Sequence, residues 1–169
     1  GVKPDELVSW FLWAEDVGPD GKPRTTASDM YFGEIRPFEE IYRRGDDQEA
    51  AEQQRQQQQQ GGGRGGQAQK LAELQKQIIS ATWNLKRAED SAPQSPTEKY
   101  KKDQPVIRDS QDEALKKATD LGEGVEDPKS RSLIDNVTEQ MQTALDRLNA
   151  AEKSVAVLPD AVAAEQLAY

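Results

Sequence analysis

The chain has 169 residues, of which 34% are hydrophobic and 31% are charged, and its formal net charge is −9. It contains neither cysteine nor histidine, which excludes disulfides, thiolate and imidazole chemistry, and metal sites built on those ligands. The acidic balance removes the main driving force for binding a phosphate backbone, so we predict no nucleic-acid partner.

The low hydrophobic content predicts thin amphipathic helices rather than one large core. No apolar run reaches the roughly 20 residues that span a bilayer, and no signal peptide opens the sequence. Because the chain begins at Gly1 and ends at Tyr169 inside patterned segments, we expect a fragment of a longer polypeptide. A membrane would then be reached only through parts of that polypeptide outside this sequence.

Residues 1–37 are expected to form β-structure. Apolar and polar positions alternate over Val8–Glu15 and again over Ser28–Arg36, which predicts two strands. Four large residues are consecutive from Trp10 to Trp13, so both faces of the first strand are expected to be covered. Because two strands alone are marginal in water, this hairpin predicts partner strands elsewhere.

The segment between the predicted strands, Asp16–Thr26, is rich in Gly, Pro and Asp. Its Pro19-Asp20-Gly21 is typical of a turn, since proline presets φ and the next two residues accept the remaining geometry. Asp16–Gly21 is also similar to half of a calcium loop. However, Gly18 and Ala27 occupy positions where an EF-hand requires oxygen ligands, so the turn is the favoured interpretation.

The strings LVSWFLWAED and SDMYFGEIRPFEE resemble the last two strands of an immunoglobulin- or fibronectin-like sandwich. In such a hairpin, an aromatic-rich strand ending in Ala-x-Asp precedes a Ser-led strand with a Val/Ile-x-Pro exit. ASDMYFGEIRPFEEIYRR, the Gln/Gly tract and QKQIISATWNLKR also resemble large uncharacterised bacterial membrane-anchored proteins with helical extracytoplasmic regions and a domain of unknown function. This resemblance covers most of residues 5–90. It implies a location on the periplasmic side of the cell envelope, with the cytoplasm as the alternative, and it implies no catalytic residues.

The middle of the chain predicts a connector followed by a linker. Residues 38–60 predict a charged, Gln-rich helix in which Phe38, Ile41 and Tyr42 lie at helical spacing. The glutamine run Gln53–Gln60 is expected to continue as solvated helix rather than to aggregate. Residues 61–66, GGGRGG, predict a flexible linker, and their single RGG-like element is weak evidence for single-stranded nucleic acid.

Residues 67–169 predict an antiparallel helical bundle that is truncated at its C-terminus. The helices are expected at Gln67–Asp90, about Val106–Gly122 and Pro128 to about Val157, with another beginning at Pro159. Asp127 followed by proline predicts an N-cap for the third helix. The 3-4 spaced seams comprise Leu71, Leu74, Ile78, Ala81, Leu85 and Ala88, and then Ile134, Val137, Met141, Ala144, Leu148, Ala151 and Val155.

Paired carboxylates are frequent, yet they lie in polar stretches where solvated helix-end charges are favoured over acid–base catalysis. The pairs are Glu39 with Glu40, Asp46 with Asp47, Asp112 with Glu113, and Glu126 with Asp127. We therefore predict that the chain is not an enzyme and carries no cofactor or metal.

Trp83 and its neighbour Asn84 mark the position where a polar group meets the apolar seam. A buried Asn can set helix register, and a tryptophan can anchor a partner, although packing of Trp83 inside the bundle is favoured. The candidates for packing against a partner are Trp83, Leu71, Leu74, Ile78, Leu85, Met141 and Leu148.

The sequence as a whole predicts a mainly α fold. An N-terminal β-hairpin, the end of a truncated β-sandwich, would precede a long Gln-rich helix and an antiparallel helical bundle. The expected function is that of a non-enzymatic structural or interaction segment of a modular bacterial membrane-associated protein. It would act through helix–helix and domain–domain packing, with other segments of the parent protein or a protein partner. The alternative is a soluble cytosolic coiled-coil adaptor that oligomerises through its helices.

Overall fold

The computed structural model describes residues 7–34, 64–92 and 96–169. Within these ranges the chain is mainly helical and carries an antiparallel hairpin region at its N-terminal end, which confirms the predicted fold class. The strands are β1 (Leu7–Trp10), β2 (Trp13–Val17), β3 (Pro23–Ala27) and β4 (Tyr31–Glu34). The α-helices are α1 (Arg64–Asp90), α2 (Glu98–Gly122), α3 (Pro128–Ala151) and α4 (Leu158–Leu167), and a 3-10 turn covers Val155–Val157.

The four strands form one long hairpin interrupted in the middle. At its tip β2 pairs antiparallel with β3, and at its base β1 pairs antiparallel with β4. The tip turns tightly, because the Gly21 N–H donates to Gly18 O over 2.9 Å and Gly21 has φ 75°, a conformation that glycine adopts without strain.

The predicted loop at Asp16–Thr26 was too long. The turn closes between Gly18 and Lys22 with a 2.8 Å hydrogen bond, and Pro23–Ala27 pairs with β2 as a strand. Proline is tolerated at the first position of that strand. Both acidic residues of the calcium-like string are engaged locally, since Asp16 forms an ion pair with Arg24 and Asp20 accepts from Lys22 N.

The second strand was predicted from Ser28, whereas the structure starts β4 at Tyr31. Phe11 and Leu12 face three residues of the other strand at this interruption. Leu12 N donates to Ser28 Oγ over 2.9 Å, and Ser28 N donates to Leu12 O over 2.8 Å, so the ladder continues on either side of the irregularity. Such a bulge bends the hairpin and redirects the side chains next to it.

The helices form an antiparallel bundle in which α1 packs against α2, α2 against α3, α3 against α4, and α4 against α1. Cross-helix contacts fix the direction: Gln104 of α2 reaches Leu148 of α3, and Tyr100, one turn earlier, reaches Ala151. The buried apolar residues lie along the facing stripes, including Leu71, Ile78, Leu85, Ile107, Met141, Leu148 and Leu158.

The start of α1 corrects the predicted linker. Arg64, Gly65 and Gly66 belong to the helix, so half of the GGGRGG segment is helical. The other half, residues 61–63, lies outside the described residues. The same is true of the predicted connector at 38–60, its glutamine run, and residues 35–37.

The second helix starts at Glu98, eight residues before the predicted Val106. Thr97 caps it, because its hydroxyl accepts from Tyr100 N over 3.1 Å. Pro105 lies inside the helix, where it removes one backbone hydrogen bond. Burial of Tyr100 and Gln104 on the turns around it holds the helix in place. The helix ends at Gly122, as predicted. Gly124, two residues later, has φ 81°, which lies in the left-handed region that glycine adopts readily after a helix.

The third helix begins as predicted and ends earlier. The Asp127 carboxylate accepts from Ser130 N over 2.9 Å, with Pro128 in the first turn. The cap hydrogen bonds also hold the pKa of Asp127 below its usual value. The helix stops at Ala151 rather than about Val157. Pro159 then lies in the first turn of α4, where its missing N–H costs nothing.

Candidate functional site: the hairpin dock and a buried polar layer

Trp83 of α1 is the main contact between the helices and the hairpin. Its side chain is 8% exposed, its ring centroid lies 4.3 Å from that of Phe11, and its Nε1 donates to Ser28 O over 3.1 Å. Phe11 and Ser28 both belong to the hairpin interruption. The irregular backbone therefore exposes a carbonyl and directs a phenyl ring at the position where α1 presents its tryptophan.

Arg87, one turn after Trp83, strengthens the same contact. Its guanidinium donates to Ala27 O over 3.0 Å and forms an ion pair with Asp29 over 2.5 Å. The guanidinium can bind a carbonyl and a carboxylate together because it carries several fixed donors. The Asp29 side chain is 64% exposed, so this pair contributes orientation more than stability.

A second attachment joins the base of the hairpin to α4. Gln166 Nε2 donates to Ser9 Oγ over 2.7 Å and lies 3.6 Å from Met30 Sδ. Ser9 belongs to β1, so the hairpin is fixed to the bundle at its base through α4 and at its interruption through α1. We call these contacts the hairpin dock: Phe11, Ser28, Asp29, Trp83, Arg87, Ser9 and Gln166.

The tip of the hairpin carries an exposed apolar face. Every residue of β2 is exposed, with Trp13 at 65% and Val17 at 71%. The register places these two side chains on one face with their partners Ala27 and Pro23, since cross-strand partners share a face. The other face carries the Asp16–Arg24 ion pair. Glu15, the partner of Thr25, lies between Trp13 and Val17 on the same face. We call this surface the tip face: Trp13, Glu15, Val17, Pro23, Thr25 and Ala27.

A layer of polar side chains crosses the bundle core. Gln75 of α1 and Gln111 of α2 are 1% and 0% exposed, and Gln75 Nε2 donates to Gln111 Oε1 over 3.2 Å. The same amide lies 3.3 Å from the carbonyl oxygen of Glu165 in the last turn of α4. This layer ties three helices together and satisfies a carbonyl that the helix end leaves open.

Glu165 is the unusual member of this layer. Its side chain is 0% exposed, one carboxyl oxygen accepts from Thr82 Oγ1 over 2.8 Å, and the other has no hydrogen-bond partner. Burial raises the pKa of Glu165 to about 8, and the Thr82 contact offsets this only in part. At neutral pH this carboxyl is therefore predominantly protonated.

Another polar group lies at the C-terminal end of α3. Tyr100 Oη donates to Ala151 O over 2.6 Å, and Gln104 Nε2 donates to Leu148 O over 2.6 Å. These bonds satisfy carbonyls in the last turn of α3. Burial, followed by the charge of Glu89, raises the pKa of Tyr100 to about 12. Because the tyrosine stays protonated, we assign this group a structural role.

The sequence-predicted candidates separate into two groups. Leu71, Ile78, Leu85, Met141 and Leu148 lie together in the core of the chain's own bundle, with Leu74 partly buried against it. Trp83 is directed at the hairpin instead. The prediction that Asn84 lies near the seam was wrong, because Asn84 is exposed and its side-chain oxygen lies 3.4 Å from Arg87.

Sequence analysis missed the buried polar residues, although a signal was present. Gln75 follows Leu71 by four positions and precedes Ile78 by three, so it lies on the apolar stripe of α1. Glu165 holds the same relation to Ala161 and Ala168 on α4. A polar residue at a stripe position predicts a buried polar contact, and this test would have identified both.

The described carboxylate pairs behave as solvated charges. Asp112 and Glu113 form ion pairs with Lys116 and Lys117 along α2, and Lys117 also lowers the pKa of Glu113. Asp127 serves as a cap. Glu39, Glu40, Asp46 and Asp47 lie outside the described residues. In the part of the chain that the structure describes, no group of three or more acidic residues has metal-site geometry, and no helix is both long and apolar enough to cross a bilayer.

One cavity of about 210 Å³ opens beside the polar layer. Gln75 and Tyr169 are its polar lining residues, and the remainder are Ala, Leu, Ile, Val and Met side chains. Gln75 is already bound to Gln111, and the Tyr169 ring contacts the Lys76 ammonium.

The polar layer gives a direct prediction. Replacing Gln111 with leucine leaves the Gln75 amide without its side-chain partner, which we expect to lower the free energy of unfolding by about 2 kcal/mol. Adding Gln75→Leu removes the unsatisfied amide, so the double variant should lose about 1 kcal/mol less than the sum of the two single losses. Urea denaturation of all four proteins measures this difference, and strictly additive losses would contradict the layer.

Comparisons of the chain with protein-family models, with curated proteins and with solved structures find no match.

Proposed function

We propose that the chain is a non-enzymatic interaction segment whose helical bundle holds a β-hairpin and presents its tip face to the β-sheet of another domain. The observation that carries this proposal is the tip face itself, with Trp13 65% exposed and Val17 71% exposed on one side of a two-stranded ribbon. An isolated hairpin is marginal in water, and an exposed apolar patch on a held element is typical of an interaction site.

The hairpin dock supports this proposal because it positions the tip without covering it. Trp83 and Arg87 contact the interruption, and Gln166 contacts the base, whereas β2 and β3 extend beyond these contacts. Trp13 and Val17 suit packing against a second sheet, where the two layers lie about 10 Å apart, and Glu15 between them would need a polar or basic partner there. The partner in this proposal is therefore a β-sheet domain, in keeping with the resemblance to the closing hairpin of a sandwich.

Oligomerisation through the helices is the weaker candidate. A coiled-coil adaptor would use the seam of α1, but Leu71, Ile78 and Leu85 are buried in the core of the chain's own bundle, where α1 packs against α2 and α4. Within the proposal, the parent is a modular bacterial membrane-associated protein whose domains pack on the periplasmic side. The resemblance of residues 5–90 is its support.

Site-specific crosslinking tests the proposal. A photoreactive phenylalanine analogue at position 13, in the protein expressed in its own cells, should form crosslinks that map to β-strand segments of one domain. The same analogue at Val106, which is 64% exposed on α2, is the matched control and should not give those crosslinks.

The purified partner domain should then bind the wild-type chain at least tenfold more tightly than Val17→Asp, because that change puts a charge into an apolar interface. Equal crosslinking from positions 13 and 106 would overturn the proposal. Partner binding that is indifferent to Val17→Asp would do the same.

A further inference from the structure

Glu165 lies in the interface that holds α4 on the bundle. It is 0% exposed, and the polar side chains around it are Thr82 and Gln75 from α1, with Gln111 of α2 behind Gln75. All three are uncharged. From α3, the buried residues are Met141, Ala144, Leu148 and Ala151, which are apolar.

The other charged and titratable groups on these helices either contact other residues or are exposed. The ammonium of Lys76 on α1 lies 5.1 Å over the Tyr169 ring, and Asp160 on α4 is exposed. Among the described residues, the other buried titratable groups are Glu89 and Tyr100, which bond to Thr97 and to the Ala151 carbonyl. Burial and the Thr82 contact thus dominate the environment of the Glu165 carboxyl.

The geometry around Thr82 favours a protonated carboxyl. Its hydroxyl oxygen lies 2.8 Å from Glu165 Oε1 and 3.1 Å from Ile78 O. A hydroxyl has one hydrogen, so it cannot donate well to both oxygens. An ionised Glu165 can only accept from Thr82, whereas a Glu165 protonated on Oε1 can donate to Thr82 Oγ1 and leave the Thr82 hydroxyl free to donate to Ile78 O. When the proton is lost, one acceptor loses its donor while a charge stays buried.

Helix α4 is the shortest α-helix among the described residues. It spans ten residues, Leu158–Leu167, and its N-terminus has no side-chain cap. Its buried apolar residues are Leu158, Ala161, Val162 and Ala164, followed by the buried Ala168 at its C-cap, and most of them are small. Because helices of this length are marginal on their own, docking of α4 is sensitive to a buried charge.

We propose that α4 is a pH-dependent latch, docked on α1 and α3 while Glu165 is protonated and released when Glu165 ionises. The raised pKa of this carboxyl, about 8, is consistent with that behaviour. Since the adjacent Gln166 donates to Ser9, release of α4 also frees the base of the hairpin. The latch thus controls how firmly the bundle holds β1.

The absence of native cysteine makes α4 opening measurable with a single introduced thiol. Ala161→Cys places the thiol on the buried face of α4, and Ala163→Cys places it on the exposed face. Labelling rates with 4,4′-dithiodipyridine are measured for both variants between pH 5 and 9. The rate at position 161 is then divided by the rate at position 163, which cancels the pH dependence of the labelling reaction itself. Ala164→Cys, also buried, replaces position 161 if that variant does not fold.

We expect the labelling ratio to rise by up to about tenfold for each pH unit between pH 5 and 8, and to stay flat when Glu165→Gln is added. Glu89→Gln should leave the slope intact. Ala114→Cys, buried on α2, reports global unfolding and should label more slowly than Ala161→Cys. A labelling ratio that rises equally with pH in the presence of Glu165 and of Glu165→Gln would overturn the latch. Equal labelling rates at positions 114 and 161 would also overturn it.

Discussion

Glu165→Gln is expected to raise the free energy of unfolding by about 3 kcal/mol at pH 7 and to leave it unchanged near pH 4. The carboxyl has its ordinary pKa of 4.5 in the unfolded chain and about 8 in the folded chain. Between these values the unfolded state releases a proton that the folded state keeps, so stability falls as pH rises. Glutamine has no proton to release, and its amide can occupy the same place beside Thr82.

Urea denaturation from pH 4 to pH 9, followed by circular dichroism at 222 nm, measures this effect. The curves for the wild type and for Glu165→Gln should meet near pH 4 and separate steadily up to about pH 8. The matched control is Glu89→Gln, because Glu89 is also buried but both its oxygens accept from Thr97. A destabilised Glu165→Gln at pH 7 would show that the carboxyl is ionised and stabilising in the folded state.

The helical half of the fold follows from the sequence because its signals are local. The 3-4 spacing of Leu71, Ile78 and Leu85 defines one buried stripe, and the Asp127 cap defines the start of α3. These patterns depend on residues within a few turns of each other, so they can be interpreted without knowledge of tertiary contacts. The start of α2 was the exception, since it was predicted at about Val106 whereas the helix begins after the Thr97 cap.

The β half was predictable in kind but not in register. Alternation over Val8–Glu15 identifies a strand, yet it does not show that Phe11 and Leu12 interrupt the ladder. The backbone of the interruption, at Ala27 and Ser28, is bound by Trp83 and Arg87, which lie more than 50 residues away in the sequence. A hydrogen bond from a side chain to a backbone carbonyl does not depend on the type of residue that supplies the carbonyl. The strand register therefore follows from tertiary contacts that the local sequence pattern does not encode.

The docking surface could be predicted only in part for a related reason. Large aromatic residues at Trp10–Trp13 were expected to be covered on both faces, whereas Trp13 is 65% exposed and Phe11 packs on Trp83. Consecutive aromatics show that cover is needed, but they do not show which of them the chain itself covers. Phe11, at 40% exposure, is less exposed than Trp13 because Trp83 covers part of its ring, and the more exposed Trp13 is the side chain left for a partner.

Trp83→Ala is expected to lower the free energy of unfolding by about 3 kcal/mol. The change removes a large side chain that is 8% exposed, its contact with Phe11, and the donor to Ser28 O. Because the hairpin has little stability of its own, the near-ultraviolet circular dichroism of the remaining tryptophans should weaken before the helical signal is lost. Urea titrations followed at both wavelengths measure the two steps.

The matched control is Trp13→Ala, which removes the same side chain from the tip face, where it is 65% exposed. We expect its stability to lie within about 0.5 kcal/mol of the wild type, while crosslinking and partner binding at the tip decrease. The two variants thus distinguish the role of Trp83, which holds the hairpin on the bundle, from that of Trp13, which contacts the partner. If Trp83→Ala instead keeps the stability of the wild type and weakens partner binding, Trp83 lies in an intermolecular interface. The hairpin dock would then not be the element that positions the tip.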